Sequence, residues 1–159
     1  MTSTTDLVKT ITEGIQEKKG RDIVVCDLRK IDGAIAQYFV ICQGQSPTQV
    51  EAIAESVGDK CREAGEKPTH VVGLGTDQWV AIDYGDVLVH VFLPETRQFY
   101  DLESLWTDAT LTRIPDMDWI GMLFAAMIHD MSSASSSSGS NALERLWQAV
   151  LISVYLPLI

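Results

Sequence analysis

Apolar residues change their period along the chain, and each change predicts an element. Leu7, Val8, Ile11 and Ile15 recur at helical spacing. Residues 6–19 therefore predict a helix, with Thr4 or Thr5 as its cap and Gly20 at its end. Residues 22–28 alternate like a strand. QYFVIC, residues 37–42, is almost continuously apolar, the pattern of a central buried strand. Ser46 before Pro47 is a cap followed by a first-turn proline. Val50, Ile53, Ala54, Val57 and Cys61 then make one apolar helical face, which Gly65 closes. Residues 70–72 predict a short strand, WVAIDYGDVLVHVF (residues 79–92) a hairpin, and residues 101–108 a short helix. The order αββαβββα is an α/β fold, a mixed β-sheet flanked by helices.

The hairpin carries the candidate chemistry. With Tyr84-Gly85 as a two-residue loop, Asp83 pairs with Asp86, Ile82 with Val87 and Val80 with Val89. Val80, Ile82, Val87 and Val89 then share one face. Trp79, Ala81, Leu88 and His90 share the other, with Trp79 opposite His90. One face is core, and two readings stay open for the other. Trp79 is core and His90 a satisfied buried histidine, or the face docks on another protein. In the second reading Trp79 and Tyr84 are aromatic anchors, Tyr84 at the turn tip, with Asp83 and Asp86 beside them. Facing carboxylates cost roughly 0.2–1 kcal/mol, which a cationic partner would offset.

Charge narrows the partners. The 159 residues carry a formal net charge of -10, which repels phosphates and makes direct nucleic-acid binding unexpected; a basic protein is the better partner. Cys26, Cys42 and Cys61 are scattered and odd in number, without C-x-x-C, as in a reduced cytoplasmic compartment. The polar start MTSTTDLVK predicts no signal peptide, and no run reaches the ~20 apolar residues that span a bilayer, so no membrane partner is expected. Catalytic patterns are thin. His70, His90 and His129 lack metal spacing, and there is neither a G-x-S-x-G elbow nor a G-x-x-x-x-G-K loop. GLGTDQW reads as a turn. Asp83 and Asp86 could hold a divalent ion, but two carboxylates are a sparse ligand set.

Several motifs in order resemble one family. YFVICQGQS with a helix after it, GLGTDQWVAIDYGDVLVHVF, and R-x-F-Y-D-L-E-S-L-W from Arg97 to Trp106 are similar to the Iojap-like ribosomal silencing factors. With the first helix, the resemblance covers residues 1 to about 118. Ala36-Gln37 before Tyr38 departs locally from members with an acidic residue there. The resemblance implies a nucleotidyltransferase-like fold without the chemistry. A working nucleotidyltransferase needs paired carboxylates after its Gly-Ser turn to hold magnesium. Here Gly44-Gln45-Ser46 runs into Pro47-Thr48-Gln49-Val50, and the first acid is Glu51. The implied protein is no enzyme and needs no cofactor. It binds the large ribosomal subunit through ribosomal protein L-fourteen at the subunit-joining face, blocks the small subunit, represses translation when nutrients are scarce, and is a homodimer when free. His90, Arg97, Tyr100, Glu103 and Trp106 are expected to support the docking face or pack under it. The alternative is a nucleotidyltransferase-like or metal-dependent enzyme acting on nucleotides or RNA.

Residues 119–159 lie outside that resemblance. Two apolar segments, residues 119–128 and 146–159, flank the serine-rich stretch SSASSSSGS, a flexible linker by composition. This C-terminal extension is expected to form packed helices or to be non-native sequence, rather than to lie on a membrane, since Arg145, just before its second segment, is the lone cation there.

Overall fold

A computed structural model describes residues 3–76 and 78–116. The compact unit runs from Met1 to Asp116. The expectations for residues 119–159 lie outside the described residues.

The first helix, α1 (Thr4–Glu17), is capped by Ser3, one residue before the expected threonines. The Ser3 hydroxyl oxygen accepts from the Asp6 amide at 3.1 Å, and the hydroxyl donates to the Asp6 carboxylate at 2.6 Å. Helix α2 (Pro47–Glu63) starts as expected at Ser46, whose Oγ accepts from the Gln49 amide. The Gln49 side chain also donates to the carbonyls of Lys18 (3.0 Å) and Lys19 (3.2 Å), tying the end of α1 to the start of α2. Leu7, Val8, Ile11 and Ile15 of α1 are buried, as are Val50, Ile53, Val57 and Cys61 of α2.

The sheet has six strands: β1 (Arg21–Asp27), β2 (Tyr38–Gln43), β3 (His70–Val72), β4 (Trp79–Asp83), β5 (Val87–Phe92) and β6 (Thr110–Ile114). Their spatial order is β3-β4-β5-β2-β1-β6, with only β2 and β5 parallel. The apolar run of β2 sits mid-sheet, as its composition predicts. Two elements differ from the sequence reading. A helix, α3 (Pro94–Tyr100), precedes the short 3-10 turn Leu102–Leu105 that stands where a helix over 101–108 was expected. Strand β6 was not expected at all. It is an edge strand whose Leu111 is exposed, so its pattern lacks the clean alternation of a half-buried strand.

Strand alternation divides the side chains between two faces. Val40, Val80, Ile82, Val89 and Val91 turn toward α1 and α2. Val24, Cys26, Phe39, Ile41 and Phe92 turn the other way and form a second core, against which Leu102, Trp106 and Trp79 pack. All three cysteines are free and buried, and burial pushes the Cys42 thiol up to about 12, so it behaves as an apolar residue.

Candidate docking face

The hairpin turn has the expected length but lies one residue further along the chain than the sequence suggested. Observed pairs are Asp83 with Leu88, Ile82 with Val89, Ala81 with His90, Val80 with Val91 and Trp79 with Phe92. The Tyr84 amide donates to the Val87 carbonyl, so the loop is Gly85-Asp86, not Tyr84-Gly85. Two local bonds select it. The Gly85 amide donates to the Asp83 carboxylate at 2.7 Å, and the Asp86 amide donates to the Tyr84 carbonyl across Gly85, whose φ of 82° a side chain would resist. The register moves by two, which preserves every face assignment but separates Asp83 from Asp86 across the strands.

That geometry splits the nine candidate residues into two groups. Asp83, Tyr84 and Asp86 sit at the turn, about 16 Å along the strand from Trp79 at ~3.3 Å per residue. Tyr84 was expected at an exposed tip. It is half-buried, because one residue past the end of β4 it continues the strand's alternation onto the helix side, beside Cys61 of α2. Burial, then that thiol, pushes its hydroxyl well above the usual range. The Asp83 carboxylate is occupied by the Gly85 amide and lies 3.6 Å from His70. The Asp86 side chain is exposed, and its carbonyl accepts from the amides of Gln37 and Tyr38.

Trp79, His90, Arg97, Tyr100, Glu103 and Trp106 gather on the opposite face. The Trp79 ring stacks on Phe92 at 4.9 Å and meets Tyr100 at 4.8 Å. Its Nε1 donates to His90 Nδ1 at 3.2 Å. His90 also contacts Phe39, whose other neighbour is the edge of Trp106. Burial holds the His90 pKa down at about 4, so the imidazole is neutral near pH 7. Arg97 is buried. It pairs with Glu103 through Nε and Nη2, and donates from Nη1 to the Asp22 carbonyl (2.8 Å) and Gln43 (3.3 Å). Asp22 stands at a bulge in β1 with a φ of 50°, so Arg97 fastens α3 and the 3-10 turn to an irregular strand end.

The outer part of this face is open. A shallow pocket is lined by Val72, Gly73, Thr76, Trp79, Ala81 and Tyr100. Around it, Val72 is 67% exposed, Leu74 56%, Phe99 82% and Tyr100 46%. Clustered apolar side chains of this kind mark interaction sites, whereas single ones are ordinary. Val72, Leu74 and Phe99 were not singled out from the sequence. The sequence offered at most a partial signal for the first two, apolar residues on the short glycine-rich segment V-V-G-L-G, and none for Phe99. Gly73 admits no side chain, since a Cβ there would stand 2.1 Å from the Trp79 carbonyl oxygen. Glu51, the lone acid at the start of α2, accepts from the Gly75 amide at 3.0 Å and so holds this loop. Among the described residues no three His, Cys, Asp or Glu side chains cluster as metal ligands, and no helix is long and apolar enough to cross a membrane.

Comparison with known proteins assigns the fold. A family model described as ribosomal silencing factor during starvation matches residues 1–144. Ribosomal silencing factor RsfS of Bacillus subtilis is 38% identical over 113 residues, which cover 71% of this chain and 92% of that protein. A crystal structure from Chromobacterium violaceum superposes with a TM-score of 0.63 at 38% identity, covering 65% of this chain and 86% of that one. A more distant relative, mouse "mitochondrial assembly of ribosomal large subunit protein 1", is 32% identical over 98 residues, 58% of this chain and 42% of that protein. The chain belongs to the family of ribosomal silencing factors.

Proposed function

We propose that the chain silences ribosomes by docking on the subunit-joining face of the large subunit, with Trp79 and Tyr100 at the centre of the contact. The observation that carries this reading is the pocket of Val72, Trp79 and Tyr100 with its exposed apolar surround. Large aromatics at the centre of an interface typically carry ~2 kcal/mol or more each. The formal charge of -10 supports a basic ribosomal protein as the contact, and ribosomal protein L-fourteen is the partner this reading names. The mouse relative's name, which refers to the ribosomal large subunit, supports the choice of subunit. The effect is steric: the small subunit is kept off and translation falls, without turnover of a substrate. The protein acts in the cytoplasm and is a homodimer before it binds.

Two measurements test this. Purified large subunits should carry the protein through a sucrose cushion, and its addition should reduce reassociation with small subunits. A Tyr100→Ala variant, removing a ring that is nearly half exposed, should lose both effects together. Full activity in a folded Tyr100→Ala, Trp79→Ala double variant would move the interface elsewhere. Nucleotide transfer to RNA by the purified protein would sink the non-catalytic part.

A further inference from the structure

His90 is a polar side chain set among rings. Phe39 lies 5.2 Å away, Trp79 5.7 Å and Phe92 6.0 Å, and the residue is 8% exposed. An indole nitrogen can only donate, so His90 Nδ1 is the acceptor in the 3.2 Å contact with Trp79, and the ring proton sits on Nε2. Nε2 is buried and finds no protein acceptor. A buried donor without an acceptor costs stability, and leucine or phenylalanine would fill this space without that cost. What the imidazole supplies, and they would not, is the acceptor for Trp79.

The need for that acceptor follows from the stack beneath Trp79. Its ring lies on Phe92 with an interplanar angle of 25°. Stacking alone is satisfied by either of two ring orientations related by a flip about the side-chain axis. The hydrogen bond is satisfied by one. We infer that His90 is a positioning residue for docking: its Nδ1 selects the orientation in which the Trp79 indole forms the pocket wall beside Tyr100. The inference rests on the docking reading above and adds a residue that itself lies below the surface. Burial keeps the imidazole neutral, and so an acceptor, at neutral pH.

The test uses the full chain with nitrogen-15 tryptophan, and Trp79→Phe identifies the Trp79 indole signal. His90→Leu should shift that signal, speed exchange of its proton at least about tenfold, and weaken sedimentation with large subunits by about tenfold. His90→Asn can offer an amide oxygen near the place of Nδ1 and should stay within about threefold of the parent. Trp79→Phe keeps a ring but removes the donor, and should weaken binding several-fold. Adding His90→Leu to Trp79→Phe should cost little more, because both cut the same bond. An unchanged indole signal in His90→Leu overturns the inference, as does a double variant whose losses add. If His90→Leu does not fold, Trp79→Phe decides: binding equal to the parent overturns it. Failure of the docking reading looks different. Trp79→Ala and Tyr100→Ala would then both bind like the parent, while the indole signal still responded to His90.

Discussion

On one face of the sheet, α1 and α2 bury Ile11, Ile15, Ile53 and Val57 completely. On the other, Tyr100 and Phe99 leave much of their rings in water. The first face is aliphatic and closed by long helices. The second is aromatic, contains a buried histidine and a buried arginine, and among the described residues is closed over part of its width by α3 and a 3-10 turn. Aliphatic side chains gain their stability from close packing alone. Rings with polar edges need partners, and the open side of this face has room for one to come from another molecule. The difference teaches where to look for stability and where for binding, and each can be perturbed separately.

The largest effect should come from the closed face. Ile53→Ala leaves a hole under fully buried helix packing and should cost about 2–5 kcal/mol, read from urea midpoints. Any loss of ribosome binding should track that loss of stability. Next comes acid. His90 has a folded pKa of about 4 against 6.5 when exposed, so the unfolded chain takes up its proton first as pH falls. Stability should therefore decline from about pH 6.5 down to about pH 4, by roughly 3 kcal/mol from this group at ~1.4 kcal/mol per pKa unit, and level off below. In His90→Asn that part of the decline should vanish. A pH dependence identical in the two proteins would show that the open face is not held by a neutral imidazole.

Smaller effects sharpen the contrast within the hairpin. Tyr84→Ala should lower the urea midpoint by roughly 1–3 kcal/mol through lost packing on Cys61, with binding unchanged once the protein is folded. Tyr100→Ala should do the reverse: near-parent stability and about tenfold weaker sedimentation with large subunits, equivalent to ~1.4 kcal/mol. A Tyr84→Ala variant that folds well but binds poorly would reunite the two ends of the hairpin as one interface. The smallest effect is expected from truncation after Asp118. We propose that residues 119–159 are dispensable for binding, although the family match extends through residue 144. A truncated chain that melts like the parent but no longer sediments with large subunits would place them in the contact.

The helices and the central strands were legible because their apolar spacing is set by one dominant contact, the seam between helices and sheet. Ser46-Pro47 and the face from Val50 to Cys61 needed nothing else. The register of the hairpin was not legible. Asp-Tyr-Gly-Asp offers two turns that bury the same side chains, and the choice between them depends on bonds at Asp83 and Gly85 that pattern alone does not rank. Trp79 and His90 were found as neighbours on one face, although the predicted pairing was wrong, because a shift of two keeps the pleat. Val72, Leu74 and Phe99 were missed for another reason. Exposure is a property of what fails to cover a residue, and the positions of α3 and the 73–76 loop cannot be read from those three residues. Strand β6 was missed because it is an edge strand without clean alternation, and nothing nearby in sequence marks its pairing with the remote β1.

That remoteness has a consequence for how the protein comes into being. The Asp22 amide donates to a carboxylate 94 residues later, at Asp116, and the Asp22 carbonyl accepts from Arg97. The bulge that opens β1 is thus held from both sides by residues synthesised long after it. During translation, α1, β1 and β2 can emerge and collapse while that strand end has no clamp. The hairpin follows, but Arg97 and Glu103, which brace α3 beside Trp79, arrive later, and Asp116 later still. A chain still attached to the ribosome that is making it therefore lacks the braces of α3 and of the β1 bulge, and with them a finished form of the proposed docking face, until almost all of its described domain has left the tunnel.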